Sequence, residues 1–355
     1  MSLLITGATG FLGRQTVDRL LEKTELDLIL LVRPQSRERA LKLFKHKRIK
    51  ILEGDLSLSE VVVDEEFFKK EYLEITKVLH LAAQYDLKAP DSESYVSNVV
   101  GTQNLMYFCD RLTNLKSFHL ASTIAVAGDF EGIFYESDFD KGQKFEDAYA
   151  ATKFRAEALV RDWQTAVKKC IYRFGVLVGD TKEGTISKID GPYYFLLGLK
   201  RLCLRIPFLK QLKLLPISFN PRTKLFLVPV DEAAACFVAL LNKEDSFDKK
   251  TSIHTFHITG HSKAISVDQF IRKSLSYFKL PLKPLAHSIS SLDRFTARLL
   301  KLPPSLAFYM HSLVSFDQSS LKRELPDFKF SHFNDFAKAF FSYVPKLLER
   351  DDLNK

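Results

Sequence analysis

Runs of consecutive apolar residues, among them Leu3-Leu4-Ile5 and Leu28-Ile29-Leu30-Leu31-Val32, punctuate the first half of the chain, and between them apolar positions fall three and four apart on otherwise polar stretches. A short unbroken apolar run suits a strand buried on both faces, whereas the wider spacing marks one face of a helix. The pattern predicts strands near 2–6, 27–33, 48–53, 76–82, 116–122 and 169–175, with crossover helices over 11–23, 92–110 and 146–167. Such alternation predicts an α/β fold, a doubly wound parallel sheet of the Rossmann type with helices on both faces. Beyond about residue 180 the alternation fades, and the proline- and aromatic-rich stretch 191–225 together with 280–330 predicts a smaller lobe. The division expected is a sheet domain over 1–180, with later strands from about 225–260, and a C-terminal lobe made of 181–225 and 260–355.

At 355 residues and 46% hydrophobic, the chain can bury a full core, which excludes a disordered protein. Its four cysteines, at 109, 170, 203 and 236, show neither metal-ligand nor redox spacing and fit buried positions in a reducing compartment, with no metal expected. The apolar run at Leu3 leads at once into a glycine-rich turn, so no leader peptide is expected. The formal charge of +9 is uneven: from Gly191 to Val230 there is no acidic residue, while Lys200, Arg201, Arg205, Lys210, Lys213, Arg222 and Lys224 interleave with apolar ones. This stretch suits the surface of an acidic carrier or of an anionic membrane, or an ordinary basic rim. Nothing in it resembles a nucleic-acid motif, and no apolar run nears the roughly 18 residues of a spanning helix, so a cytoplasmic protein, at most peripheral to a membrane, is expected.

Thr6-Gly7-Ala8-Thr9-Gly10-Phe11-Leu12-Gly13 follows the first strand and opens the first helix, the context in which a glycine pattern points to a dinucleotide. Gly7 would permit the sharp turn, Gly10 would let the backbone approach a pyrophosphate, and Gly13 would let the helix pack on the strand, with Thr9, Phe11 and Leu12 on the same turn. The second strand ends in Arg33, where an NAD site usually has an acid; Arg37 and Arg39 follow, so NADPH is expected rather than NADH. Asp55-Leu56, after the third strand, falls where an adenine amino group would be held.

Tyr149-Ala150-Ala151-Thr152-Lys153 puts a phenol and an ammonium on one helical face, and a nearby cation is expected to lower the phenol's pKa toward a working acid–base range. A Ser122-Thr123 pair closes an earlier strand.

The order of these motifs resembles the extended short-chain dehydrogenase/reductase family over most of the chain. The resemblance implies a catalytic trio of Thr123, Tyr149 and Lys153, with Ser122 as the alternative hydroxyl, and a supporting Asn98, which could otherwise simply bond the sheet backbone. It also implies that His80-Leu81-Ala82-Ala83 passes under the cofactor, Ala82 and Ala83 leaving room for it, while His80 itself is expected to be a satisfied core histidine. Arg173-Phe174-Gly175-Val176 resembles the family's segment beside the nicotinamide, with Phe174 in place of the usual proline, and backbone contacts from Phe174, Gly175 or Val176 are implied. The phosphate loop, Arg33 and the stretch from Lys188 to Phe195 resemble the thioester reductase and fatty acyl reductase branch. That branch implies NADPH-dependent reduction of a coenzyme A or carrier thioester to aldehyde or alcohol, with 1–180 holding NADP and the lobe holding substrate. A dehydrogenase of a sterol-like or lipid hydroxyl and a nucleotide-sugar epimerase or dehydratase use the same trio. An NADPH-sensing binding protein would usually lack the tyrosine or lysine. Family resemblance also suggests a homodimer.

Overall fold

The strands Ser2–Thr6 and Asp27–Val32 are apolar and buried at successive positions because both of their faces are covered. The computed structural model describes residues 1–62, 66, 72–85, 90–187, 189–205, 213–260, 264–287, 300 and 302–347. Seven strands form the sheet: β1 (Ser2–Thr6), β2 (Asp27–Val32), β3 (Ile49–Glu53), β4 (Ile75–His80), β5 (Ser117–Thr123), β6 (Lys168–Phe174) and β7 (Ile253–Ile258). Their spatial order is β3-β2-β1-β4-β5-β6-β7, and every pairing is parallel. Alternate residues serve opposite faces, as the pleat requires. Leu3, Ile5, Leu28, Leu30, Tyr172 and Phe256 pack with the helices Phe11–Lys23 and Val230–Lys243, while Leu4, Ile29, Phe118, Leu120 and Ile171 pack with Leu105, Met106 and Val160. The doubly wound α/β fold expected from the pattern is therefore present, and its six expected strands fall within a few residues of their places. The seventh comes from the 225–260 segment.

The segment expected as one helix over 92–110 is more elaborate. It runs as a short α-helix Asp91–Tyr95, a π-helical turn Val96–Val100 and an α-helix Gly101–Cys109. Single π turns inside helices are frequent at functional sites, and this one carries Asn98.

A second apolar cluster lies outside the sheet. Tyr193, Leu196 and Leu197 of the helix Pro192–Arg205 join Ile217 of the strand Leu214–Ser218, Phe270 and Ile271 of the helix Val267–Tyr277, and Phe336 and Phe340 of the helix Phe333–Ser342. Two-stranded pairings stitch this lobe to the sheet: Val176–Val178 continues from β6 and pairs with Leu227–Pro229. Among the described residues, no helix is long and apolar enough to cross a membrane.

Candidate active site

The strand order reverses at β1, which has β2 on one side and β4 on the other, and a crevice opens beyond the carboxyl ends of strands at such a point. Gly7 turns the chain there with φ of 73°, and a Cβ on it would lie 2.5 Å from the backbone nitrogen of Ala82, so the loops after β1 and β4 touch backbone to backbone. The helix that follows starts at Gly10 with no side-chain cap. Its first amides therefore border the crevice ready for an anion, which suits a dinucleotide pyrophosphate.

A cavity of about 920 Å³ fills the crevice. Gly7, Thr9, Gly10, Phe11, Leu12 and Gly13 line it at one end, with Arg33, Asp55, Leu56, Ala82 and Ala83. Ser122, Thr123, Tyr149, Lys153, Phe174, Gly175 and Val176 line it further along. Two expected residues do not border it. Arg37 instead pairs with Glu53 on β3, Nε to Oε1 at 2.8 Å, so the arginine toward the cavity is Arg33. Asn98 is buried behind the wall: its Oδ1 accepts from the Gln84 amide at 2.7 Å, while its Nδ2 donates to the Gln84 carbonyl at 2.9 Å and to Thr152 Oγ1 at 3.0 Å. It thus ties the loop after β4 to the helix that bears Tyr149 and Lys153. His80 is the satisfied core histidine expected, held by Thr6 at 2.7 Å and Thr102 at 3.0 Å and kept neutral by burial, its pKa lowered to about 3.

The helix Ala148–Asp162 presents Tyr149 and Lys153. Asp147 caps its start, Oδ1 accepting from the Ala150 amide at 2.7 Å, an N-cap signal legible in the sequence immediately before Ala148. Tyr149 and Thr123 share a side-chain hydrogen bond. Lys153 Nζ donates to the Ala121 carbonyl on β5 at 2.6 Å, and burial brings the amine down to about 8 while Glu157 opposes that shift. The expectation for the phenol is corrected. Burial raises the Tyr149 pKa, the Thr123 hydrogen bond only partly offsetting it, and the nearby Asp190 and Asp147 raise it further. Desolvation outweighs any help from the lysine, and the phenol is held as a proton donor.

Ser122, the alternative hydroxyl, faces elsewhere. Its Oγ donates to Glu157 Oε2 at 2.7 Å in a buried network behind the cavity wall. Glu157 also takes Arg173 Nη2 at 2.6 Å and Arg161 Nη2 at 2.8 Å. Burial alone would raise this carboxyl, but Arg173 and then Arg161 hold it at about 2. Arg173 is completely buried and reaches on to His257 Nε2 at 3.1 Å and to the Asp138 carbonyl at 2.7 Å. Neighbouring positions on β5 thus divide the work: Thr123 partners Tyr149, and Ser122 anchors the strand.

The cavity also has an apolar lining from the second lobe. Phe195, Phe226, Val267, Phe270, Leu306 and Met310 border it, drawn from four separate stretches of the chain. Of the basic residues singled out between 191 and 230, Lys224 borders the cavity; Lys210 lies outside the described residues, as does Lys188. Sequence reasoning also passed over Tyr309, whose hydroxyl donates to Asp147 Oδ2 at 2.8 Å. No local pattern marks that residue.

With this geometry in view, the male sterility protein family profile matches residues 5–236, about two thirds of the chain. The chain belongs to the male sterility protein family. It is accordingly an NAD(P)-dependent oxidoreductase of the extended short-chain dehydrogenase/reductase type. It is 25% identical over 337 residues to an isonitrile lipopeptide synthase of Mycobacterium tuberculosis, a match covering 85% of this chain and 13% of that protein. It is 25% identical over 325 residues to an L-2-aminoadipate reductase of Schizosaccharomyces pombe, covering 83% of this chain and 22% of that one. The chain thus spans less than a quarter of these relatives' length. A thiolation-reductase di-domain from an archaeal non-ribosomal peptide synthetase shares the fold, with a TM-score of 0.73 at 20% identity over 98% of this chain and 75% of the other.

Proposed function

We propose that the chain uses NADPH to reduce an acyl thioester, carried on coenzyme A or on the phosphopantetheine of a carrier protein, to an aldehyde and a free thiol. The observation that carries this reading is that one cavity is lined both by the phosphate loop, Tyr149 and Lys153 and by apolar side chains of the second lobe, Phe195, Phe270 and Met310 among them. When bound, the reduced nicotinamide would supply the hydride. Thr123 and Tyr149 would hydrogen-bond the oxygen as it gains negative charge. Tyr149, kept protonated by burial, would then give that oxygen its proton. The resulting hemithioacetal breaks its C–S bond, its hydroxyl proton returning to Tyr149 while the departing thiolate takes a proton from solvent, so that aldehyde and thiol are released neutral and Tyr149 is restored. Lys153, still an ammonium at neutral pH although burial lowers its pKa to about 8, would hold the cofactor ribose. Arg33 at the other end suits a 2′-phosphate. The relatives named as a reductase and as a thiolation-reductase di-domain support a carrier-bound substrate, and Lys224 at the chamber wall offers a cation to a pantetheine phosphate.

The test is NADPH oxidation with a long-chain acyl-coenzyme A in the presence of a thiol reagent. Oxidation matched one-to-one by thiol release is expected. Tyr149→Phe should lower the rate by about 10²- to 10⁴-fold, the usual worth of a positioned acid, while leaving NADPH binding intact. An unaffected rate in that variant, or oxidation without thiol release, would sink the assignment.

A further inference from the structure

The Tyr309 hydroxyl ties the chamber wall to Asp147, the residue that starts the Ala148–Asp162 helix. The link joins residues 162 positions apart. The two carboxylate oxygens of Asp147 divide between two donors, Oδ1 accepting from the Ala150 amide at 2.7 Å and Oδ2 from the Tyr309 hydroxyl at 2.8 Å. Asp147 is thereby fixed in the rotamer that caps the helix, and Tyr149 is the second residue of that helix. A helix start is where fraying begins, since its first amides have no partner within the helix. The segment bearing Tyr309 is itself anchored. The Asn220 amide donates to the Met310 carbonyl at 3.0 Å, the Met310 amide donates to the Leu306 carbonyl at 3.2 Å, and the Met310 side chain is buried in the lobe's core. Tyr309 borders the same chamber as Tyr149.

We infer that Tyr309 is a positioning residue: through Asp147 it fixes the first turn of the helix that carries Tyr149, so that the wall of the substrate chamber sets where the proton donor stands. The inference rests on the reading of Tyr149 as the donor. Burial, followed by Asp147, raises the pKa of Tyr309, so its hydroxyl stays a donor to Asp147 across the working range. Among the charged or titratable groups acting on Tyr149 are Asp190, Asp147 and Tyr85, and Tyr309 itself is electrostatically coupled to it. Removing the Tyr309 hydroxyl leaves the Asp147 charge less compensated beside that phenol.

The experiment uses the full chain and compares wild type, Tyr309→Phe, Asp147→Asn and the double variant. Single-turnover hydride transfer from NADPH is followed with a long-chain acyl-coenzyme A and, separately, with a long-chain aldehyde, alongside the NADPH dissociation constant and amide hydrogen exchange over residues 147–153. Tyr309→Phe keeps the ring and loses only the hydroxyl. The expected result is a rate about tenfold lower on the carbonyl that is reduced, an NADPH dissociation constant within about twofold of wild type, and faster exchange at the helix start. The double variant should be no slower than the slower single variant, because both substitutions break one contact. A wild-type rate in Tyr309→Phe overturns the inference. So does a fall in rate matched by an equal loss of NADPH binding, which would mark general damage to the fold, and so do additive losses in the double variant. If wild type reduces the aldehyde but not the thioester, the thioester reading fails while Tyr309 is still judged on the aldehyde. If it reduces neither, exchange at the helix start decides, unchanged exchange overturning the inference and faster exchange supporting the contact.

Discussion

The two ends of the cavity are built on different principles. The cofactor end is backbone: Gly7, Gly10 and Gly13 on one turn, the alanines after β4, and the amides at a helix start. The chamber end is side chains, with Phe195, Phe226, Phe270 and Met310 arriving from distant segments of the second lobe. A backbone surface has no alternative rotamers and tolerates no added atom where strands and loops touch. A side-chain surface can be recut one residue at a time, which lets one reaction serve different substrates. The contrast predicts that equally small substitutions at the two ends differ greatly in cost.

The largest effect belongs to the cofactor end. A Cβ on Gly13 would lie 2.2 Å from the Gly7 carbonyl oxygen and 2.8 Å from Ala8 Cα, contacts that backbone cannot relax around. Gly13→Val should therefore abolish NADPH binding, measured by quenching of protein fluorescence, and should lower the melting temperature. Phe270→Leu at the other end should leave NADPH affinity unchanged, with a stability cost of about 1 kcal/mol for a modest change in buried volume. Comparable NADPH affinities in the two variants would remove the distinction.

Next in size is the buried network behind the wall, which joins the ends. Glu157 is fully buried and takes Ser122, Arg161 and Arg173, so Glu157→Gln leaves two guanidinium groups undercompensated and should cost about 3–5 kcal/mol by urea unfolding at neutral pH. The sign of its pH dependence follows from the lowered pKa. A carboxyl at about 2 in the folded protein and at its ordinary 4.5 when unfolded contributes stability that is fully present above 4.5 and is lost as pH falls through that window toward 2. The gap between wild type and Glu157→Gln should narrow over the same interval. A gap that stayed constant down to about pH 3 would show that the charge is not what Glu157 contributes.

The same contrast explains what could be read in the sequence. The strands, the phosphate loop and the Tyr149/Lys153 pair are local patterns, each complete within a few residues, and they stand where the pattern puts them. The choice between Ser122 and Thr123 was not local, since it depends on which face of β5 meets Glu157 and which meets Tyr149. Arg37 looked as suited to a phosphate as Arg33, because its partner Glu53 lies on the adjacent strand and not beside it in sequence. The proton donor's pKa went the opposite way from the expectation, because burial, the larger influence, is a property of the finished fold. Tyr309 carried no signal at all: a tyrosine closing a proline-led short helix becomes informative only once its bond to Asp147 is seen.

Arg33 gives the third test. It stands at the end of β2 as an exposed cation bordering the cavity, whereas Arg37 is engaged by Glu53. Arg33→Ala should weaken NADPH by about tenfold and leave NADH nearly unchanged, as expected for one charge-assisted contact to a 2′-phosphate. Equal loss for both cofactors would mean that Arg33 acts on the shape of the loop and would reopen the choice between them.

The smallest effect is graded and belongs to the chamber. Each methylene moved from water into an apolar pocket contributes about 0.8 kcal/mol, close to fourfold in affinity. Across a series of acyl-coenzyme A substrates, kcat/KM should rise by about that factor per added methylene and then level off where the chamber ends. Phe270→Trp fills part of that space and should bring the plateau to a shorter chain without changing the rise before it or the affinity for NADPH. Because Phe270 belongs to the lobe's core as well as to the cavity wall, the variant's melting temperature must stay near wild type for the shift to be assigned to the chamber. A chain-length profile that is flat in wild type would mean that the apolar wall does not hold the acyl group, and that selectivity resides in the thiol half of the substrate.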